Sequence, residues 1–464
     1  MNKLLWELIK SWNCIDGQEN STSEIVNWIS VRNREVQVEM NKISLENCKN
    51  WLYDNEQGCI RSENNSFFRI MGIMESSCGE VTCEQPIILQ NEIGYLGIVC
   101  KKVNGMLHFL MQAKIEPGNI NKIQISPTIQ ATKSNFTQKH GGKKPEYLNY
   151  FVYSKRHTIV VDQLQSEQSL RFYKKRNRNI IVLTEDEIEV LPSHRWMTLG
   201  QIKQLMKVDN LVNMDTRTVL SCIPYSLYSL DDGERQMLAD MFSDTALYCS
   251  IFEGSKDVLL PNIFSYINDR KMFDKTATKL VPIYSLKDWH MTDNEFVKDE
   301  RYPFKVVFYD IAIEGREVTR WSQPLFEAIG MATFGLFTCV HHGIRKFLVH
   351  ALHEAGSFDG LELAPSVQLE EGNRKSSEDY VTELFCKIQK KFPERIKYSV
   401  ILSEEGGRFY QEQNYNVILE VGFEELSALP EGYFWADYRS LNLLVQVNNC
   451  LNIQLRNLLS LLEV

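Results

Sequence analysis

The chain has 464 residues, 44% apolar and 24% charged, a globular composition that excludes wholesale disorder. At about 150 residues per domain it should hold two or three domains. Its 51 Lys and Arg against 60 Asp and Glu leave a net charge of −9, which argues against a nucleic-acid or membrane-surface binder and leaves room only for a local basic pocket.

From the N-terminus, MNKLLWELIKSWN reads as an amphipathic helix interrupted by Glu7 and Lys10, not as a signal peptide, and residues 1–24 form a helical lead-in. No apolar run reaches the ~18 residues of a membrane span. The eleven cysteines contain no C-x-x-C pair, so reduced thiols in a cytoplasmic chain are expected rather than a zinc site or disulfides. Residues 106–116 alternate, with Leu107, Phe109, Met111, Ala113 and Ile115 on one face and His108, Leu110, Gln112, Lys114 and Glu116 on the other. That spacing predicts a strand with one buried face. Ile123, Ile125 and Ile129 alternate likewise with Ser126, Thr128 and Gln130. Residues 198–222 carry apolar residues at helical spacing, and DDGERQMLADMF opens a helical connector assigned to 224–262.

The remaining sequence repeats the first. Segment 85–130 meets 323–368 without a gap, and eleven of the 46 positions are identical, among them Gln85/Gln323, Glu116/Glu354, Gly118/Gly356 and Gln130/Gln368. Chance would supply roughly two or three. The match extends to SEQSLRFYKKRNRN at 166–179 against SEEGGRFYQEQNYN at 403–416, and to Arg217 and Leu220 against Arg456 and Leu459. Two modules follow, 25–223 and 263–464, each an α/β (α+β) mixed sheet flanked by helices.

The polar strand faces form one wall of a pocket, with His108, Gln112, Lys114 and Glu116 beside Ser126, Thr128 and Gln130. The alternative is a solvated face, or buried glutamines that satisfy backbone groups. Lys175, Arg176 and Arg178 belong to the only dense basic cluster, a natural partner for a diphosphate. In the second copy they become Glu412, Gln413 and Tyr415, while Lys114 becomes Leu352 and Ser126 becomes Ala364. If one copy kept catalysis, it is the first. No phosphate-binding or dinucleotide motif is present, and His350 and His353 would fall on opposite strand faces, which argues against a shared metal.

QPIILQNEIGYLGIVCK, LHFLMQAKIEPGNINKIQISPTIQAT, LQSEQSLRFYKKRNRN and TLGQIKQLMKVDNLVNMDTRTVLSC resemble the nucleotide-diphosphate-hexose 2,3-dehydratases of deoxysugar biosynthesis. The resemblance implies two tandem Nudix-like domains from an internal duplication and a cytoplasmic homodimer with part of the leucine-rich C-terminal surface shared. It also implies a nucleotide-diphosphate sugar as substrate, usually on dTDP, with no cofactor, nucleic acid or membrane partner. The Nudix metal box is missing from both halves, so no metal is expected. Removing the proton on carbon 3 beside a 4-ketone gives an enolate, which expels the 2-hydroxyl and yields a 3,4-diketo sugar. The implied catalytic residues are Glu116 or His108 for proton transfer and Lys114 for the oxyanion. The implied substrate-binding set is Gln85, Gln112, Ser126, Thr128, Gln130, Lys175, Arg176, Asn177 and Arg178. A Nudix-like nucleotide-sugar hydrolase and a silent nucleotide-sugar-binding protein are the alternatives.

Overall fold

The computed structural model describes residues 3–133, 144–254, 259–314, 319–371 and 379–463. The described residues form a mixed α+β architecture, with four sheets flanked by helices. The first large sheet has the strand order Thr158–Ser166, Arg176–Leu183, Gly94–Val103, Met106–Ile115, His194–Met197. Ile123–Ser126 pairs with Met106–Ile115, and Ile129–Ala131 pairs with Gly94–Val103. The second large sheet repeats this pairing strand for strand, from Ile396–Ser403 through Gln413–Glu420, Ala332–His341 and Ile344–His353. In both, one pair is parallel (Arg176–Leu183 on Gly94–Val103; Gln413–Glu420 on Ala332–His341) and the other pairs are antiparallel. Asn104-Gly105 and His342-Gly343 make the tight turns between the central strands, all four residues at positive φ, as a two-residue primed hairpin turn requires.

Strand Met106–Ile115 is covered on both faces, not one. Leu107, Phe109 and Met111 pack into the main core, while Leu110 packs with Ile129, Phe151 and Trp196. The extra cover comes from helix Leu148–Val152 and from Trp196, which the alternation in this strand does not report. On the other side lies helix Lys3–Asn13, whose Ser11 hydroxyl donates to the Leu107 carbonyl at 2.6 Å and accepts from the Leu199 amide at 2.9 Å. Ser250, in helix Thr245–Phe252, does the same for Arg345 and Tyr438, at 2.6 and 2.7 Å. The N-terminal helix and the connector helix thus make equivalent serine contacts, one in each half.

The halves are interwoven. Val38–Ile43 pairs with Phe304–Ile313 of the second half, while its counterpart Thr276–Val281 pairs with Arg69–Ser77 of the first. The two smaller sheets share an aromatic core that includes Trp51, Phe68 and Phe172 from one half and Trp289, Phe304 and Phe409 from the other. Helices Met214–Ser221 and Ile453–Ser460 pack together inside the main core, which draws on both halves. Arg217 reaches across to the Ser403 carbonyl at 2.9 Å, and Arg456 to the Ser166 carbonyl; both side chains are 1% exposed. Every residue of Ile453–Ser460 is buried within the chain, so the C-terminal leucines need no partner subunit to cover them.

His353 and Glu75 join the halves at 2.6 Å. Hydrogen bonding to Glu75 holds the imidazole above its ordinary 6.5, despite burial. Burial pushes Glu75 up, but His353 and Thr82 outweigh it and hold the carboxyl below 4.5. The raised histidine contributes stability below its ordinary pKa and loses it as pH rises; the lowered carboxyl contributes above its own and loses it as pH falls. The pair should thus matter most between 4.5 and 6.5. His353→Gln should lower the melting temperature at about pH 5.5, and the deficit should shrink by about pH 8.5. An equal deficit at both would show that the ion pair is not its source.

Candidate active site

Alternation along Met106–Ile115 sends Lys114 and the following Glu116 to one side, where the Lys114 ammonium lies 3.1 Å from the Glu116 carboxylate. Gln130 donates to the same Glu116 oxygen at 3.1 Å and accepts from Ser126 at 3.2 Å and from Asn213 at 3.4 Å. Asn213 also caps helix Met214–Ser221 by accepting from the Thr216 amide at 2.9 Å. The cap fixes the helix start beside Glu116. The Glu–Gln–Asn chain recurs as Glu354, Gln368 and Asn452, at 2.9 and 2.8 Å, without the lysine or the serine.

A loop of the second half closes the first-half site. The Gly118 amide donates to the Gly406 carbonyl at 2.8 Å, and the Gln411 amide to the Gly118 carbonyl at 2.7 Å. A Cβ on Gly118 would stand 1.7 Å from the Phe409 carbonyl oxygen, which explains the glycine. This loop brings Glu405 and Arg408; the Arg408 guanidinium stacks 4.4 Å above Phe68 and donates to Gln90 at 3.3 Å. Reciprocally, the first-half loop crosses to the second site. There Gly356 bonds Ser169 at 3.0 Å, and Arg171 stacks 4.2 Å above Phe304 and pairs with Glu370 at 2.8 Å.

Around the first site the charges are dense. Lys175 is buried and donates to the Glu92 carbonyl; burial lowers its pKa against the pull of Glu167 and Glu405. Burial and then Glu405 push Glu167 up to about 7, although Asn177 donates to it at 2.6 Å. Asp215, 2% exposed on the first turn of its helix, is pushed well above the usual carboxylate range by burial and then by Glu405, Glu167 and Glu116.

Of the residues expected from sequence, the fold brings together Lys114, Glu116, Ser126, Gln130 and Lys175, with Gln112 one step up the same face opposite Ser126. His108 is six residues from Lys114, about 20 Å along a strand. Its Nδ1 lies 3.0 Å from the Met106 carbonyl, and burial lowers its pKa. Thr128 accepts from the Val99 amide at 2.9 Å and donates to the Leu110 carbonyl, a clamp that Ser366 repeats on Phe337 and Leu348. Asn177 holds the Gly94 amide at 3.1 Å and Glu167, as Asn414 holds Ala332 and Glu404. Gln85 accepts from Tyr302 and donates to the Leu170 carbonyl, both at 2.6 Å, supporting the loop that enters the other site.

The basic cluster does not act as one patch, because strand alternation divides it. Arg178 makes two 2.6 Å bonds to Asp162, and Arg176 stacks 3.6 Å above Phe358. Asp215, Glu405, Arg408 and Asn213 were missed, although the Asp215/Gln454 difference lies in plain register beside Arg217/Arg456. Among the described residues, no group of three His, Cys, Asp or Glu side chains is arranged to hold a metal ion. No helix among them is long and apolar enough to cross a membrane.

The family model described as NDP-hexose 2,3-dehydratase matches residues 22–223 and again 260–462. The chain belongs to the NDP-hexose 2,3-dehydratase family. It is similar to three relatives named dTDP-4-dehydro-6-deoxy-alpha-D-glucopyranose 2,3-dehydratase. That of Saccharopolyspora spinosa is 37% identical over 445 residues, 95% of this chain and 91% of the relative. That of Streptomyces violaceoruber is 34% identical, covering 93% and 95%, and that of Amycolatopsis orientalis is 32% identical, covering 96% and 91%. A 2,3-dehydratase of this family is a hydro-lyase and needs a base, an acid and a partner for enolate charge. The first site offers an ammonium and several carboxyls within one buried cluster.

Proposed function

We propose that this NDP-hexose 2,3-dehydratase acts on dTDP-4-keto-6-deoxyglucose, and that the reaction runs in the first-half site. The observation that carries the location is the Lys114–Glu116 pair at 3.1 Å, whose counterpart in the second half is Leu352 beside Glu354. Glu116 takes the carbon-3 proton and Lys114 faces the enolate oxygen. Lys175 and Arg408, the other cations beside the site, replace Arg176 and Arg178 in the role of diphosphate ligands. The recurring strand order and the two family matches support a tandem duplication of Nudix-like modules, the first holding the catalytic site and the second a degenerate one. A cytoplasmic homodimer belongs to the same proposal, with its interface away from the buried C-terminal helix.

Incubating the purified chain with dTDP-4-keto-6-deoxyglucose and trapping the diketo product by reduction should show loss of the 2-hydroxyl. The same sugar on UDP, GDP or CDP should react more slowly. No dehydration with any carrier would sink the assignment. Release of nucleoside monophosphate instead would favour the hydrolase.

A further inference from the structure

Asp215 is 2% exposed, yet its carboxyl accepts no hydrogen bond from any described residue. A buried carboxyl ordinarily finds donors, and one without them calls for an explanation, of which a catalytic role is one. Its neighbours are Glu116, Glu167, Glu405 and Lys114. Its position is not loose. Two residues earlier, Asn213 caps the helix and is hydrogen-bonded through Gln130 to Glu116. The second site holds the same Asn cap and the same Glu–Gln chain, but Gln454 stands for Asp215, Leu352 for Lys114 and Gln168 for Glu405. The Asn cap, the glutamine and one glutamate are kept in both copies, while Asp215, Lys114 and Glu405 are ionisable in the first site alone.

We infer that Asp215 is the acid that protonates the departing 2-hydroxyl. The inference rests on the proposed first-half site. In the step, the base takes the proton from carbon 3 and the electron pair enters the carbon 3–carbon 4 bond, leaving negative charge on oxygen 4. That charge returns to a carbonyl as a carbon 2–carbon 3 double bond forms. The carbon 2–oxygen bond breaks, and the oxygen takes the Asp215 proton and leaves as water. The enol's 3-hydroxyl proton then restores Asp215, and carbon 2 receives the proton first removed from carbon 3. Water is the only net loss, with no redox change. A carboxyl pushed toward its neutral form by burial and then by three neighbouring acids suits the donor.

Asp215→Asn keeps shape and neutrality, so it separates proton donation from packing. The variant should dehydrate the natural substrate about 10²- to 10⁴-fold more slowly, the span of general acid catalysis. It should still exchange the carbon-3 hydrogen with deuterated water, because enolate formation needs no acid at oxygen 2. It should also release fluoride from the 2-deoxy-2-fluoro analogue near the wild-type rate. Dehydration at the wild-type rate would overturn the inference, and so would loss of exchange and fluoride release together in a variant with an unchanged melting temperature. If the Asp215→Asn variant fails to fold, Asp215→Glu decides: dehydration with a shifted pH profile supports the acid, and dehydration with an unchanged profile overturns it. Wild-type protein that dehydrates nothing would instead defeat the functional reading, and a fully active Lys114→Leu would defeat the choice of site.

Discussion

Replacing Lys114 by Leu, the residue that the second half carries at 352, should lower turnover about 10²- to 10³-fold with little change in KM. The ammonium lies 3.1 Å from Glu116 at the edge of a buried carboxyl cluster, so it can face charge that develops only after the proton leaves carbon 3. Leu is tolerated at the equivalent place in the same fold, which separates chemistry from packing. Glu354→Gln, in the second site, should leave turnover near wild type. Steady-state dehydration by both variants is the measurement. A silent Lys114→Leu with an inactive Glu354→Gln would move catalysis to the second half.

Expressed separately, residues 1–256 and 257–464 should each fail to fold, and co-expression should recover a soluble, active pair. Each half alone would keep the strand that belongs in the other's sheet, Val38–Ile43 or Thr276–Val281, with no edge to receive it. Its aromatic core would be cut through Trp51, Phe68, Trp289 and Phe304. The carbonyls of Ser403 and Ser166 would lose their buried arginines, and an unpaired buried polar group costs about 1–3 kcal/mol. Circular dichroism and chemical-denaturant melts of each half would check this. A cooperative transition in either half alone would show that the exchange is dispensable.

Local pattern carried much of this molecule. The alternation at 106–116 and 123–130 located strands and put Lys114, Glu116, Ser126 and Gln130 on one wall, because side-chain period alone decides facing. The repeat was legible because glycines and glutamines that touch backbone could not drift: Gly118, Gly356, Gln85 and Gln323 all lie against the crossing loops. Strand exchange was invisible, since Val38–Ile43 looks the same whichever sheet receives it. The same ambiguity hid Glu405 and Arg408, assigned by sequence to the half they do not serve. His108 lies apart from Lys114 and Glu116 because alternation says which way a side chain faces but not how far along the strand it sits. The likeness of helices Lys3–Asn13 and Thr245–Phe252 could not be read from sequence, because the task shared by Ser11 and Ser250 rests on single serines.

The crossing loops bear on how such a chain can change over generations. After a duplication, a copy whose chemistry has lapsed is ordinarily free to erode or be deleted. Here Glu404 hydrogen-bonds Asn414 in its own half while the adjacent Glu405 turns into the proposed site of the other, so one short stretch would answer to two selective pressures at once. A one-residue insertion between Glu404 and Gln411 would shift Arg408 off Phe68 and break the Gly118 contacts, with the injury felt more than 280 positions upstream. On the proposed assignment the second half is retained as part of the first half's active site, and substitutions in 404–411 should travel through lineages together with those around Gly118 and Gln90.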